Sequence, residues 1–306
     1  MGPALCGAAV CAALLAPVAT LAQDRDDPIR SARDAFIKKD KARLAALRAQ
    51  VLDARHPLAP WVDYWDLTSR LTEARTEEVE AFYLRWPGSY VEDRLRNDWL
   101  LELGHRRDFE AFARDVPRFK MNDDREVTCY AQLIDHLAGK NVRDSARRAW
   151  MAQREPDEGC QLLAQTLVDA KLFSQDDVLR KLRHAIAHNR VKLARQTAAL
   201  LSDPAAKATA DIFDNPARYL AVKANAIGHL RTELAALAMA RVAANDVDAA
   251  SRLLDDRWAE ILGAEHGAWA WAQVAKQAAI GLKPDALAYA RTAWKTLPKN
   301  IEDQPD

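Results

Sequence analysis

Glycine is scarce in this chain, at 10 of 306 residues, and cysteine scarcer still at four. Aromatic residues make up only 7%, and neither sign of charge is in excess, with 44 Lys plus Arg against 44 Asp plus Glu. Each shortage excludes something. So little glycine, beside 49% hydrophobic residues, argues against a disordered or low-complexity chain. A balanced charge provides no field to recruit nucleic acid or an anionic membrane surface. After residue 22 no stretch is apolar and long enough to span a bilayer. The cysteines form no C-x-x-C pair and are too few and too widely spaced for a zinc site. A nucleophile elbow, a phosphate loop and a dinucleotide fingerprint are all missing, so no cofactor is expected.

Alanine, leucine, arginine, aspartate and glutamate dominate what is present, and typical strand residues are thin. That composition favours an all-α fold. The N-terminus reads differently from the rest. Residues 1–22, "MGPALCGAAVCAALLAPVATLA", carry no charged side chain and end in Thr20-Leu21-Ala22, a small-x-Ala pattern before Gln23. This is the pattern of a secretory signal peptide, leaving 23–306 as the exported chain. Neither Cys6 nor Cys11 sits in a lipobox. Cleavage removes both and leaves Cys129 and Cys160 as an even pair in an oxidising compartment.

From about Asp26 to Leu297 the pattern is helix, short turn, helix. "VEAFYLRWP" (79–87) aligns with "FEAFARDVP" (109–117), and "VDAASRL" (247–253) with "PDALAYA" (284–290). Periods of this size belong to solenoids of helical hairpins, each unable to bury its apolar face alone. The expectation is a right-handed superhelix of stacked hairpins. Helices are predicted over 124–138, 141–152 and 157–171, with Gly139 ending the first. In stacked hairpins the first and third are neighbours, so Cys129 and Cys160 face each other across their seam. A bridge there would add about 3–4 kcal/mol; the alternative is two free buried thiols.

Few residues stand out as chemistry. His184 and His188, at i and i+4, could share a metal, but the third ligand and the Glu of a zinc-protease helix are missing, so no metal is expected. Among nine Trp, Trp61 with Trp65 and Trp269 with Trp271 are candidate sugar-stacking platforms, against the more ordinary role of seam packing. The run "RLRNDWLLELGHRRDFEAF" (94–112) reads as an amphipathic pair with a solvated charged face. No carboxylate lies in a context that singles it out as a tuned acid.

One resemblance goes further. In "FYLRWPGSYVEDRLRNDWLLELGHRRDFEAFARDVP", a Pro-x-Ser pair is followed by Leu-Arg-x-x-Trp-Leu-x-x-Leu-Gly and then Asp-x-x-x-Phe. Then come "EVTCYAQL", "RRAW", "CQLLAQTLVDAKLFSQDDVLRKLRHAIAHN" and "GAWAWAQVAKQAAIGLKPDALAYARTAW". The ordered set resembles the large N-terminal region of the soluble lytic murein transglycosylases along nearly all of 23–306. The resemblance implies a U-shaped α-superhelix that closes into a ring with later domains, and a cystine between Cys129 and Cys160. It implies a periplasmic enzyme that cleaves the β-1,4 bond between N-acetylmuramic acid and N-acetylglucosamine, leaving a 1,6-anhydro end. In that family one Glu acts as acid and then base, in a Glu-Ser motif of a lysozyme-like C-terminal domain, followed by Gly-Leu-Met-Gln. Neither motif occurs here, so no catalytic residue carries over. The expectation is a scaffold truncated at its C-terminal end. Its partners would be glycan strands and the missing catalytic domain, and it would be inactive alone. The rival expectation is a periplasmic tetratricopeptide-like adaptor that binds proteins and has no enzymatic activity.

Overall fold

The computed structural model describes residues 18–223 and 228–298. Most of the expected leader lies outside them; its end, 18–22, opens the first helix. Among the described residues every regular element is helical, as composition predicts. The chain forms two compact units, Met1–Arg106 with Pro117–Met121, and Arg107–Val116 with Asn122–Asp306.

The first unit holds α1 (Val18–Ile37), α2 (Lys41–Asp53), α3 (Ala59–Thr68), α4 (Thr76–Arg85) and α5 (Tyr90–Arg106). Local chemistry starts these helices. Asp40 caps α2 by accepting from the Arg43 amide at 3.0 Å, and Pro60 sits in the first turn of α3. Ala32, Ala35, Leu44, Val51 and Val62 join α1, α2 and α3 in one apolar core. Charge is buried beside it. Asp63 accepts from Arg48, from Arg85 at 2.5 Å and from the Trp86 indole at 2.8 Å, tying α2, α3 and the end of α4 together. Arg96, 1% exposed, lies 4.2 Å from the Tyr83 ring centre and pairs with Glu92 at 2.7 Å. Asp93 accepts from the backbone amides of Lys120 and Met121. The solvated face read for 94–112 therefore holds only in part. Arg96 is buried because its planar cation has an aromatic face and a carboxylate within reach.

The second unit runs through α6 (Phe109–Asp115), α7 (Arg125–Leu137), α8 (Arg143–Ala152), α9 (Glu158–Asp169), α10 (Gln175–Ala187), α11 (Val191–Ala199) and α12 (Asp203–Asp214). It continues with α13 (Pro216–Arg218), α14 (His229–Asn245), α15 (Val247–Leu253), α16 (Ala259–Ile280) and α17 (Ala286–Thr296). The helices expected at 124–138, 141–152 and 157–171 are α7, α8 and α9. Asp124 and Asp157 cap α7 and α9, and Gly139, at φ 79°, turns the chain out of α7. As expected, α7 and α9 are neighbours, and Cys129 and Cys160 are bridged across them with Cα atoms 4.9 Å apart. Gly159 is required there. A Cβ at that position would meet the Tyr130 ring at 2.8 Å and Glu126 at 2.9 Å.

Alanine takes over toward the C-terminus. Ala235, Ala236, Ala238 and Ala243 of α14, and Ala270 and Ala278 of α16, are almost wholly buried in one cluster with Trp258 and Trp271. Small side chains let α14, α16 and α17 pack closely. Within α16, Gly263 has φ 70° and ψ −179°, so the helix kinks nearly two turns before Trp269. A residue with a Cβ would be strained at that φ.

Candidate functional site

On α3, Trp61, Tyr64 and Trp65 occupy i, i+3 and i+4 and share a face. On α5, Tyr90, Arg94 and Asp98 follow at i, i+4 and i+8. The two stripes meet. The Trp61 ring lies 6.0 Å from that of Tyr90, 5.9 Å edge-on from Tyr64 and 6.4 Å from Trp65. Trp65 is in turn stacked on Phe36 at 6.2 Å. The Tyr64 hydroxyl donates to Asp98 at 2.6 Å, and Arg94 hydrogen-bonds the same hydroxyl. Burial, reinforced by the Asp98 carboxylate, pushes Tyr64 up to about 12, so it stays a proton donor. Tyr90 is 60% exposed and Trp61 and Trp65 are half-buried, so the surface is an aromatic ridge with a polar arm.

In the second unit a groove of about 690 Å³ runs between α16 and α17, bordered by Glu265, Trp269, Lys276, Leu287 and Trp294 over a floor of alanines. Arg183 from α10 lies 5.5 Å from the Trp269 ring centre, 3.6 Å from Glu265, and bonds Glu233 through both nitrogens of its fork. His266 Nε2 bonds Glu233 Oε2, the oxygen that also accepts from Arg183 Nη2, at 2.9 Å. Burial alone would raise the Glu233 carboxyl, but the hydrogen bonds from Arg183 and His266 outweigh it and hold the group below its ordinary value. Glu233 is completely buried and is thus a paired anion.

These groups do not have the electrostatics of glycoside cleavage. Protonating a glycosidic oxygen requires a carboxylic acid with a raised pKa facing a cleft. Asp157 is pushed up by burial, yet its carboxylate caps α9 through the Cys160 amide at 2.7 Å and accepts from Gln153. Lys181 is wholly buried, and burial pushes it down to about 7. Its ammonium donates to the carbonyls of Trp150 at 2.6 Å and Gln153 at 2.8 Å, closing the end of α8. That is a structural use of charge.

Of the residues singled out in the sequence, Trp61 and Trp65 lie together on the ridge. Trp269 borders the groove, but Trp271 does not. Trp271 is 3% exposed and stacked on Tyr289 at 5.8 Å, so its ring has no face for a ligand. His184 and His188 are exposed, with ring centres 4.3 Å apart, and burial lowers His184. Among the described residues no group of three or more His, Cys, Asp and Glu could hold a metal ion. Tyr64, Tyr90, Arg94, Asp98 and Trp294 did not emerge from the sequence. The helical spacing of Tyr90, Arg94 and Asp98 was the available signal.

No family model matches the chain, and no curated protein matches it. Solved structures do. The lytic transglycosylase Slt from Pseudomonas aeruginosa, an inactive mutant, is similar with a TM-score of 0.57 and 20% identity, over 89% of this chain and 50% of that one. The 70-kDa soluble lytic transglycosylase of Escherichia coli gives 0.58 and 16%, over 89% and 45%. A complex of a 70-kDa soluble lytic transglycosylase with bulgecin A gives 0.57 and 16%, again over 89% and 45%. The chain spans about half the length of these proteins. What is shared is the all-α fold of stacked hairpins.

Proposed function

We propose that this chain is the helical scaffold of an exported lytic transglycosylase that acts on the glycan strands of peptidoglycan. The observation that carries the reading is a fold held in common with lytic transglycosylases over 89% of the chain. The ordered motifs of 82–294 support it independently. The cystine between Cys129 and Cys160 fits an oxidising compartment, and so supports a periplasmic location with 1–22 as leader. No described helix is long and apolar enough to cross a membrane.

On this reading residues 23–306 position a strand and dock the domain that performs the cleavage to a 1,6-anhydro end. The state of the carboxylates supports that division of labour. Asp63, Asp93 and Glu233 are engaged by cations or backbone amides, so their oxygens are already taken up in structural bonds. Contact with the strand is proposed through aromatic faces that remain accessible, which favours Trp61, Trp65 and Trp269 over Trp271.

Incubation of the 23–306 protein with murein sacculi tests this. The expected result is co-sedimentation with the sacculi and no release of anhydro-muropeptides. Robust anhydro product would refute the placement of the chemistry elsewhere. Failure to bind sacculi, together with capture of a defined protein partner, would favour the adaptor reading.

A further inference from the structure

We propose that the seam of α3 and α5 is a saccharide subsite. In it Trp61 and Tyr90 stack on sugar rings, and Tyr64, Arg94 and Asp98 hydrogen-bond the substituents of a β-1,4-linked, N-acetylated amino-sugar strand. The assignment rests on the murein reading above and specifies where in the first unit the strand lies.

A pyranose ring presents a face of polarised C–H groups and an edge of hydroxyls. The matching surface has an exposed π face beside fixed donors and acceptors. The ridge has both. Tyr90 is 60% exposed, and its ring is 6.0 Å from that of Trp61. Trp61 is propped by Tyr64 edge-on at 5.9 Å and by Trp65 at 6.4 Å, and Trp65 rests on Phe36. A ring held this way loses little freedom on binding. The polar arm is also preset. Tyr64 donates to Asp98 at 2.6 Å, and Arg94 bonds the Tyr64 hydroxyl. From Tyr90 to Asp98 the stripe runs about 12 Å along α5, at a rise of ~1.5 Å per residue. Adjoining rings of one strand can then meet the aromatic and polar parts in turn.

The same features disfavour an apolar protein helix as the occupant. Laying a hydrophobic stripe over this seam would strip water from Arg94 and Asp98 without replacing their hydrogen bonds. The groove of the second unit is built the other way, mostly from alanines and leucines beside Trp269 and Trp294, with Glu265 and Lys276 at its border.

The test uses the full chain and two probes, sacculi stripped of their peptides and soluble N-acetylglucosamine hexamer. Binding is read by sedimentation and by tryptophan fluorescence. The unaltered protein should bind both. Trp61→Ala and Tyr90→Ala should each weaken binding about tenfold, equivalent to ~1.4 kcal/mol. Asp98→Asn should weaken it less, and Leu84→Ala, on the exposed face of α4, should leave it unchanged. Should Trp61→Ala fail to fold, Tyr90→Ala tests the same contact from a largely exposed position. Equal binding by the unaltered protein and the ridge variants overturns the subsite and leaves the murein reading standing. Binding to intact sacculi but not to stripped strands also overturns it, because the peptide is then what is recognised. No binding to any form of murein removes the reading beneath it. Ridge variants that lose a protein partner yet keep glycan affinity make the seam a protein-docking surface.

Discussion

Helices α2 to α5 bury charge among their core residues, whereas α14 and α16 pack mainly through alanine. In the first region Asp63 is enclosed by Arg48, Arg85 and Trp86, and Arg96 lies under a ring with its carboxylate partner. In the second, the stretch Leu234–Ala243 is buried almost throughout, and charge enters at Glu233 and at the half-buried Arg241, which lies 5.0 Å from the Phe213 ring centre. In the first region directional bonds between charged groups help to fix the relative positions of the helices. Long alanine-lined helices need no such device, because close backbone approach supplies the dispersion contacts. The two strategies fail differently, and the expected differences can be measured.

The largest effect should come from the single charge cluster of the alanine-rich region. Glu233→Ala leaves Arg183 without its buried partner and should cost about 3–5 kcal/mol in chemical denaturation. Its sign with pH is fixed. The folded carboxyl lies below its ordinary value of 4.5, so its stabilisation is present above that pH and is lost as pH falls through the folded value. Acid titration of the melting temperature should therefore bring Glu233→Gln and the unaltered protein together as pH falls below that folded value. A difference that persists there would mean the site acts by shape alone.

Next comes the crosslink. The Cys129–Cys160 loop separates its ends by 31 residues, and its loss in the double Cys→Ser variant should lower stability by about 3–4 kcal/mol. Reduction by dithiothreitol should match the variant. The clasp of the first region should matter less, because Arg48 and Arg85 are partly exposed and can rehydrate. Asp63→Asn is expected to cost about 2 kcal/mol, read from urea midpoints. If that loss equals or exceeds the loss from Glu233→Ala, the contrast between the regions breaks.

The last effect is a slope, the smallest of these when counted per pH unit. Burial lowers Lys181 to about 7 in the folded chain, against its ordinary 10.5. Between those values the unfolded chain holds a proton that the folded chain lacks, so stability rises with pH by up to ~1.4 kcal/mol per unit. Below about pH 7 both states are charged and the slope vanishes. Lys181→Met should flatten the profile, and melting temperatures from pH 7 to 9 will show whether it does.

Much of this architecture was legible beforehand, and the reasons are local. Asp124 and Asp157 announce the starts of α7 and α9, Gly139 the end of α7, and the two cysteines fall on facing stripes. Other helix ends left no trace. Lys39, Arg55, Arg107, Lys171, Asn189 and Leu282 take positive φ just beyond α1, α2, α5, α9, α10 and α16. In a chain so poor in glycine the left-handed turn falls mostly to residues such as Lys, Arg and Leu that look like ordinary helix formers; Asn189 is the exception, since asparagine tolerates that conformation. Buried charges were equally silent. Arg96 lay in the run read as solvated, and Tyr83, whose ring covers it, stands on another helix; the acceptors of Lys181 are carbonyls at the end of α8, those of Trp150 and Gln153.

Sequence alone determined the helical class and the stacking of hairpins, since these follow from periodicity and capping over spans of one or two repeats; it brought the two sulfurs to one seam, and the structure joins them. Tertiary structure decided which tryptophans keep an open face. Trp61 and Trp65 share a helical face, yet only packing of α5 against α3 sets Tyr90 and the Tyr64–Asp98 pair beside them. Trp269 and Trp271 stand two residues apart on one helix, roughly opposite each other in azimuth at ~100° per residue. Contact with Tyr289 buries the second and leaves the first at a groove.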